Sequence, residues 1–161
     1  DLLVARGVLG RGLPHRLVIT GEGPMRRELA ERCPDAVFTG PLGREDVANV
    51  FASADVFVFP SQTDTAGNVV LEAQASGLPV VVSDAGGPKE NMRPATTGVV
   101  CAGADPEMWA SAVASLLKRT TRAAASTAAR DYALSRRWDV ALAPLFDAYR
   151  ELSDRSAPRA A

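Results

Sequence analysis

The chain has 161 residues, enough for one domain, and 47% of them are hydrophobic, which allows a sizeable core. Its formal net charge of −1 argues against a nucleic-acid groove, which needs a basic surface. No apolar run reaches the roughly 18 residues that span a bilayer, and no signal peptide is visible. Cys33 and Cys101 follow no metal-ligand spacing, so we expect two buried thiols in a cytoplasmic protein.

The start of the chain is apolar and helix-like. It opens at Asp1 without a methionine and continues Leu-Leu-Val-Ala-Arg. We interpret this as part of a longer chain. Further along, five short runs rich in β-branched residues predict strands at residues 16–20, 36–39, 55–59, 79–83 and 98–101. Amphipathic segments near 24–32, 44–53, 67–76 and 87–92 predict helices between them. The alternation predicts a Rossmann-like α/β fold, with a parallel sheet and helices on both faces.

After the last strand the pattern predicts only helices, near residues 105–118, 120–134 and 138–152. Asp105 followed by Pro106 is typical of a helix start, with a capping carboxylate and a proline in the first turn. We therefore expect one domain over residues 1–153 and a flexible tail over 154–161.

A glycine turn follows the first predicted strand, reading Gly21-Glu-Gly-Pro24. A dinucleotide fingerprint would need a third glycine where Arg26 stands. It would also need an acidic residue at the end of the second strand, which instead ends in Thr39-Gly40, so an NAD site is improbable. The turn either lets the backbone approach a ligand or is only a tight turn.

A polar loop follows the third predicted strand, and a helix starts close to Gly67. Free N–H groups and the positive end of the helix dipole make such a start suitable for phosphate, and a glycine permits close approach. Glu72 lies one turn after Asn68 on the same face, where its carboxylate can accept bonds from sugar or ribose hydroxyls. Equally, Asp64 is only a helix cap and Glu72 a solvated residue.

This stretch resembles the signature of the family-4 (group 1) retaining glycosyltransferases of the GT-B fold, which has two acidic residues with seven between them. Asp64 and Glu72 have that spacing, and the run is similar to a subgroup reading Asp-Thr-Phe-Gly-Asn-Val-Val-Leu-Glu-Ala, except that Ala66 stands where phenylalanine is usual. The resemblance is to the C-terminal, donor-binding domain of the family. It extends to residues 21–24, 38–42, 53–61, 77–80 and 86–90 and to Trp138, which fits the aromatic residue opening the last helix.

The resemblance implies a role for each matching residue. Glu72 would bind the ribose hydroxyls, and Asp64 would hold the donor sugar; these two are the candidate catalytic residues. The other expected donor-binding positions are the turn at Gly21, the base-framing Gly40 and Leu42, and the diphosphate-binding backbone of Gly67, Asn68 and Val69. Apart from the resemblance, Lys89 and Arg93 are expected to be solvated, although either could approach an anionic donor.

For the intact protein the resemblance implies transfer of a hexose from a UDP- or GDP-sugar, with retention of configuration, to a lipid or glycan acceptor. No cofactor or metal is expected, because no Asp-x-Asp motif is present, and His15 is expected at the surface rather than as a base. We expect a cytoplasmic location, with peripheral contact at the inner membrane face as a further possibility. Two alternatives stay open. One is a non-catalytic sugar-nucleotide-binding module or inert fragment; the other is a GT-B sugar-nucleotide epimerase, although its catalytic carboxylates and histidines are not found.

Two parts of the family pattern have no counterpart here. One is the N-terminal acceptor domain; the other is the first strand of the donor domain, with its loop carrying an arginine and a lysine. Residues 1–3 already resemble the following helix, and Arg6, Arg11 and Arg16 fall in no matching motif. We therefore expect the chain to be inactive alone.

In the usual strand order, 3-2-1-4-5-6, the first strand is central. Its neighbours, residues 16–20 and 55–59, would then pair directly, accept a strand from another chain, or remain apart.

Overall fold

The computed structural model describes residues 15–103 and 105–156. Within them lie five strands, β1 (Val18–Thr20), β2 (Val37–Gly40), β3 (Phe57–Phe59), β4 (Val80–Ser83) and β5 (Gly98–Cys101). Helices α1 (Arg26–Arg32), α2 (Arg44–Ser53) and α3 (Asn68–Ala75) alternate with the first four strands, and a 3-10 helix (Pro88–Asn91) precedes β5. Helices α4 (Pro106–Leu117), α5 (Arg119–Ser135) and α6 (Trp138–Ser156) follow. The predictions for residues 1–6 and for Arg11 lie outside the described residues.

The five predicted strands are confirmed, and so is the helix start at Asp105, whose carboxylate accepts from the N–H of Glu107 at 3.0 Å. The prediction of an amphipathic helix near residues 87–92 is wrong in type, because Pro88–Asn91 form a short 3-10 helix. Glu90 N–H donates to Gly87 O at 2.9 Å, three residues back, and Met92 is already extended with φ −150°. Helix α6 runs to Ser156, four residues beyond the predicted end; the last five residues of the predicted tail lie outside the described part.

The strands form two parallel sheets, β1-β2 and β3-β4-β5. In the usual strand order of a doubly wound sheet, these are the two groups of strands predicted to lie on either side of the central strand. Within the described residues β1 and β3 are not paired, so the direct pairing considered from the sequence does not occur.

Strand β4 lies at the centre of the packing, because its side chains are buried on both faces. Val80 and Val82 pack in one cluster with Val70 and Ala73 of α3, while Val81 packs in another with residues of α4 and α5. Alternate strand residues thus face opposite helix layers, which confirms helices on both faces of the sheet. By contrast, Val18 of β1 is 43% exposed.

Helix α5 fixes the C-terminal end of α3 and the 3-10 helix through three side chains. Ser126 Oγ donates to Gly77 O at 2.6 Å, Arg130 Nη1 to Ala75 O at 3.0 Å, and the Tyr132 hydroxyl to Glu90 O at 3.2 Å. These bonds satisfy the carbonyls of Ala75 at the end of α3, of Gly77 just beyond it, and of Glu90 in the 3-10 helix. They hold α3 so that its N-terminus faces the carboxyl ends of the strands.

Helix α6 carries a row of large apolar side chains that are mostly in solvent. Trp138 is 73% exposed and Tyr149 is 65% exposed, and Leu145, Phe146 and Leu152 are each more than half exposed. No helix in the described part of the chain is both long enough and apolar enough to cross a membrane.

Candidate functional site

The candidate site is built around the turn between β3 and α3. Gly67 is the N-cap of α3 and has left-handed backbone angles, φ 62° and ψ 35°. A Cβ placed on Gly67 would lie 2.7 Å from Pro88 Cα. Glycine is therefore required by the turn itself and by close packing against the 3-10 helix, in addition to any approach by a ligand.

Asp64 holds this turn with one carboxylate oxygen. Its Oδ1 accepts from Ala66 N–H at 3.0 Å and from Gly67 N–H at 2.5 Å, which closes an Asx-type turn before the helix. Asp64 is therefore not the N-cap of α3: that position is Gly67, which has no side-chain cap hydrogen bond, and Oδ1 holds the loop just before the helix. Within the described residues no donor is assigned to Oδ2, so this second oxygen remains available to a ligand.

The next two N–H groups along the chain belong to Asn68 and Val69, the first residues of α3. The N–H groups of a helix's first turn have no acceptor within the helix, and they lie at the positive end of its dipole. Val70 N–H turns back to Gly67 O at 2.9 Å, so the helix starts tightly. The start of α3 thus presents two donors beside the Asp64 carboxylate, an arrangement suited to an anionic group such as a diphosphate.

Glu72 projects from the second turn of α3 and is exposed. It lies four residues after Asn68, so it shares the helix face that carries the free start of α3. No ion pair or hydrogen bond occupies its carboxylate within the described residues. Glu72 is therefore free to accept hydrogen bonds from hydroxyl groups near the start of α3.

The loop before and within the 3-10 helix packs directly on this turn. Gly87 N–H donates to Asp64 O at 3.0 Å, and Asn91 Nδ2 donates to Ala66 O through a short hydrogen bond. The cations of this region have other partners, because Lys89 Nζ donates to Asp84 O at 2.5 Å and the Arg93 guanidinium lies 5.3 Å from the centre of the Tyr132 ring. Neither is held toward the start of α3.

The two glycines expected near the base are brought together at the ends of β1 and β2. Gly21 N–H donates to Gly40 O at 2.9 Å, and both have positive φ, 116° and 70°. Leu42 is half-buried two residues later. Arg26 pairs with Glu22 at 2.5 Å and reaches 3.8 Å from a Cβ placed on Gly40. Among the described residues, no hydrogen bond or ion pair is assigned between this glycine turn and the turn before α3.

The cysteines have different environments. Cys101 is fully buried, and burial followed by the nearby Asp84 charge raises the pKa of its thiol. Cys33 is only half-buried, so the expectation of two buried thiols is wrong for Cys33. It lies at the end of helix α1, which has no buried residues.

His15 is half-buried at the start of the described chain. In residues 15–103 and 105–156 no three histidine, cysteine or acidic side chains are placed to hold a metal ion.

Sequence reasoning did not single out two residues behind the turn, Gln74 and Asn91. Gln74 is fully buried in α3 beside the core residues Val70 and Ala73. A polar residue on the apolar face of a predicted helix was the available signal, since buried polar side chains normally have specific partners.

Comparison with known proteins identifies the family of the chain. Residues 4–119 match the family model "Glycosyl transferases group 1". The chain is 40% identical over 147 residues to a "GDP-mannose-dependent alpha-mannosyltransferase" of Mycobacterium tuberculosis, and 34% identical over 164 residues to a "D-inositol 3-phosphate glycosyltransferase" of Mycobacterium marinum. These alignments cover 91% and 98% of this chain but 38% and 34% of the relatives, so the chain spans little more than a third of their length.

Among solved structures, the fold is similar to that of Anabaena HepE in complex with UDP-glucose, with a TM-score of 0.72 and 22% identity. That similarity covers 94% of this chain and 44% of the other, and it supports the Rossmann-like half of the GT-B fold. Together with the match over residues 4–119, these findings show that the chain belongs to the group 1 glycosyltransferases.

Proposed function

We propose that the intact protein is a retaining glycosyltransferase that moves a hexose from a nucleotide-diphosphate sugar to a lipid or glycan acceptor. In this proposal the present chain binds the donor. The observation that carries it is the start of α3, where two N–H groups without helical acceptors follow Asp64 and precede Glu72 along the chain. Family membership supplies the reaction class.

Each part of the donor has a matching group. The N–H groups of Asn68 and Val69, with the backbone of Gly67, suit the diphosphate because the positive end of the helix dipole lies there. Glu72 is one turn further and would accept from the ribose hydroxyls. Asp64 would use its second oxygen for a sugar hydroxyl while the first holds the turn before α3.

The base would lie near the turn formed by Gly21 and Gly40, with Leu42 beside it. We propose GDP-mannose as the first donor to test, because the mycobacterial relative is named for that donor at 40% identity. UDP-sugars remain the second choice, supported by the UDP-glucose complex of a protein with the same fold. The main-chain groups described at this turn do not distinguish the two bases.

Catalysis in this proposal depends on positioning and electrostatic stabilisation rather than on a general base. The departing diphosphate carries the developing charge, and preorganised N–H donors at a helix start stabilise it. The donor's own phosphate would assist the incoming hydroxyl. We propose that no metal or cofactor takes part, that the protein acts in the cytoplasm, and that an N-terminal acceptor domain completes the site.

The alternative of a non-catalytic nucleotide-sugar-binding module keeps the same donor site and differs only in turnover. An epimerase would need further catalytic carboxylates and histidines beside the sugar. The described residues include one histidine, His15, and it lies on the segment before β1 rather than at the start of α3.

The deciding experiment uses a longer protein that includes the acceptor half, incubated with GDP-mannose or UDP-glucose and a panel of lipid and glycan acceptors. We expect a glycoside with the anomeric configuration of the donor, identified by NMR. A product of inverted configuration would contradict retention. Free epimerised nucleotide would favour the epimerase, and tight donor binding with no product would favour the binding module.

A further inference from the structure

Gln74 is the most deeply buried polar side chain of α3, with no exposed surface. Its Nε2 donates to Val70 O at 3.1 Å and to Asn91 O at 2.6 Å. Because both neighbours are carbonyl oxygens, the NH₂ end must face them, which fixes the orientation of the amide. Its Oε1 is then buried without a partner among the described residues. An apolar side chain at this position would avoid the cost of burying an unpaired oxygen, but it would also lose the two hydrogen bonds that Nε2 donates.

Asn91 accepts one of those bonds and also contacts the turn of the candidate site. Its main-chain oxygen accepts from Gln74, and its side-chain Nδ2 donates to Ala66 O. The carbonyl of Ala66 belongs to the peptide unit that enters Gly67, the N-cap of α3. Asn91 is therefore the contact between the buried interior of α3 and the turn that starts the same helix.

The turn is held from both sides. Asp64 Oδ1 accepts the N–H groups of Ala66 and Gly67, while Asn91 binds the carbonyl of Ala66. The 3-10 helix that carries Asn91 is itself held by the Tyr132 hydroxyl at Glu90 O, 3.2 Å away. The peptide plane between Ala66 and Gly67 thus has a donor and an acceptor fixed by different elements.

We propose that Gln74 and Asn91 are positioning residues for the donor. Acting through the peptide unit of Ala66 and Gly67, they set the direction of the Asn68 and Val69 N–H groups. This inference rests on the proposed function, because those N–H groups are the ones assigned to the diphosphate. It predicts that losing either residue weakens binding of a nucleoside diphosphate more than binding of the monophosphate, since the terminal phosphate depends most on these donors.

The test compares Asn91→Ala with Asn49→Ala, an exposed asparagine of α2, in the 161-residue chain. Calorimetry with GDP, GMP, UDP and UMP measures the affinities. For Asn91→Ala we expect the diphosphate affinity to fall about 5- to 10-fold, as for loss of one hydrogen bond, and the monophosphate affinity by less than about 2-fold. Asn49→Ala should change neither.

A second readout needs no ligand. Amide hydrogen exchange at Gly67 should rise at least about 5-fold in Asn91→Ala, while the buried amides of β4 keep their rates, because only the turn has been released. Gln74→Met keeps the side-chain length and removes both donors, and it should reproduce the effect. The double variant should lose little more than the worse single variant, since the two residues act in one network.

The outcomes separate the two proposals. An unchanged ratio of diphosphate to monophosphate affinity, together with unchanged exchange at Gly67, would overturn the positioning role while leaving the donor site standing. Failure of the unaltered chain to bind GDP or UDP would overturn the donor site assigned to this chain and this inference with it.

Discussion

Replacing Gly67 by alanine tests whether the turn before α3 depends on the packing of Pro88. Alanine at φ 62° meets the left-handed penalty of about 1–2 kcal/mol. Its Cβ would also lie 2.7 Å from Pro88 Cα, so the 3-10 helix must move, and overpacking of this kind costs about 1–3 kcal/mol. We therefore expect Gly67→Ala to lower the free energy of unfolding by about 2–5 kcal/mol.

Gly103 provides the matched control, because it has nearly the same backbone angle, φ 58°, and among the described residues nothing apart from its chain neighbours lies within 4 Å of the position of a Cβ. Gly103→Ala should lower the free energy of unfolding only by the cost of left-handed backbone angles, about 1–2 kcal/mol. Urea denaturation followed by tryptophan fluorescence compares the two. Equal losses would show that contact with Pro88 does not constrain the turn; a chain that unfolds with Gly67→Ala but folds with Gly103→Ala agrees with the prediction.

Three further predictions concern the site, the thiols and the sheet. Asp64→Asn should weaken binding of the whole nucleotide sugar more than binding of the free nucleotide, because Oδ2 is proposed to bind the sugar; equal losses in calorimetry would leave Asp64 only its role in holding the turn. Cys33 should react with a thiol reagent at pH 7–8 well before Cys101, whose raised pKa and burial keep it protonated and covered, and mass spectrometry of the labelled peptides would reveal the reverse order. Adding about a dozen upstream residues should raise the melting temperature sharply, because a further strand would pair with β1 and β3; an unchanged melting temperature and a monomer in both cases would contradict the assigned strand order.

The sheet was largely predictable because its strands are short β-branched runs. Val80, Val81 and Val82 are buried on both faces, and a continuous apolar run of this length is typical of a central parallel strand. The helix start at Asp105 was predictable from local chemistry, because a capping carboxylate and a following proline act within one turn. Local patterns of these kinds carry their information within a few residues.

The parts that sequence reasoning missed depend on contacts between distant segments. Residues 88–91 have helical composition, but packing of Pro88 on Gly67 and the bond from Tyr132 hold them as a 3-10 helix. One partner of Gln74, Asn91, lies 17 residues further along the chain, so no periodicity in the sequence indicates this contact. The two roles of Asp64 were left open because spacing cannot assign its two oxygens; in the fold, Oδ1 holds the turn before α3.

The measurement that tests the central claim most directly is calorimetric titration of the 161-residue chain with GDP, UDP, GDP-mannose and UDP-glucose, repeated with Glu72→Ala. A control variant, Glu151→Ala, removes an exposed glutamate from α6, and alanine favours both helices, so neither change should destabilise the fold. We predict that the unaltered chain binds at least one of these nucleotides, that Glu72→Ala loses about 1.5–3 kcal/mol of binding free energy, as for hydrogen bonds to a charged group, and that Glu151→Ala loses none. Binding that is absent in the unaltered chain, or equal in Glu72→Ala and Glu151→Ala, would contradict a donor site at the start of α3.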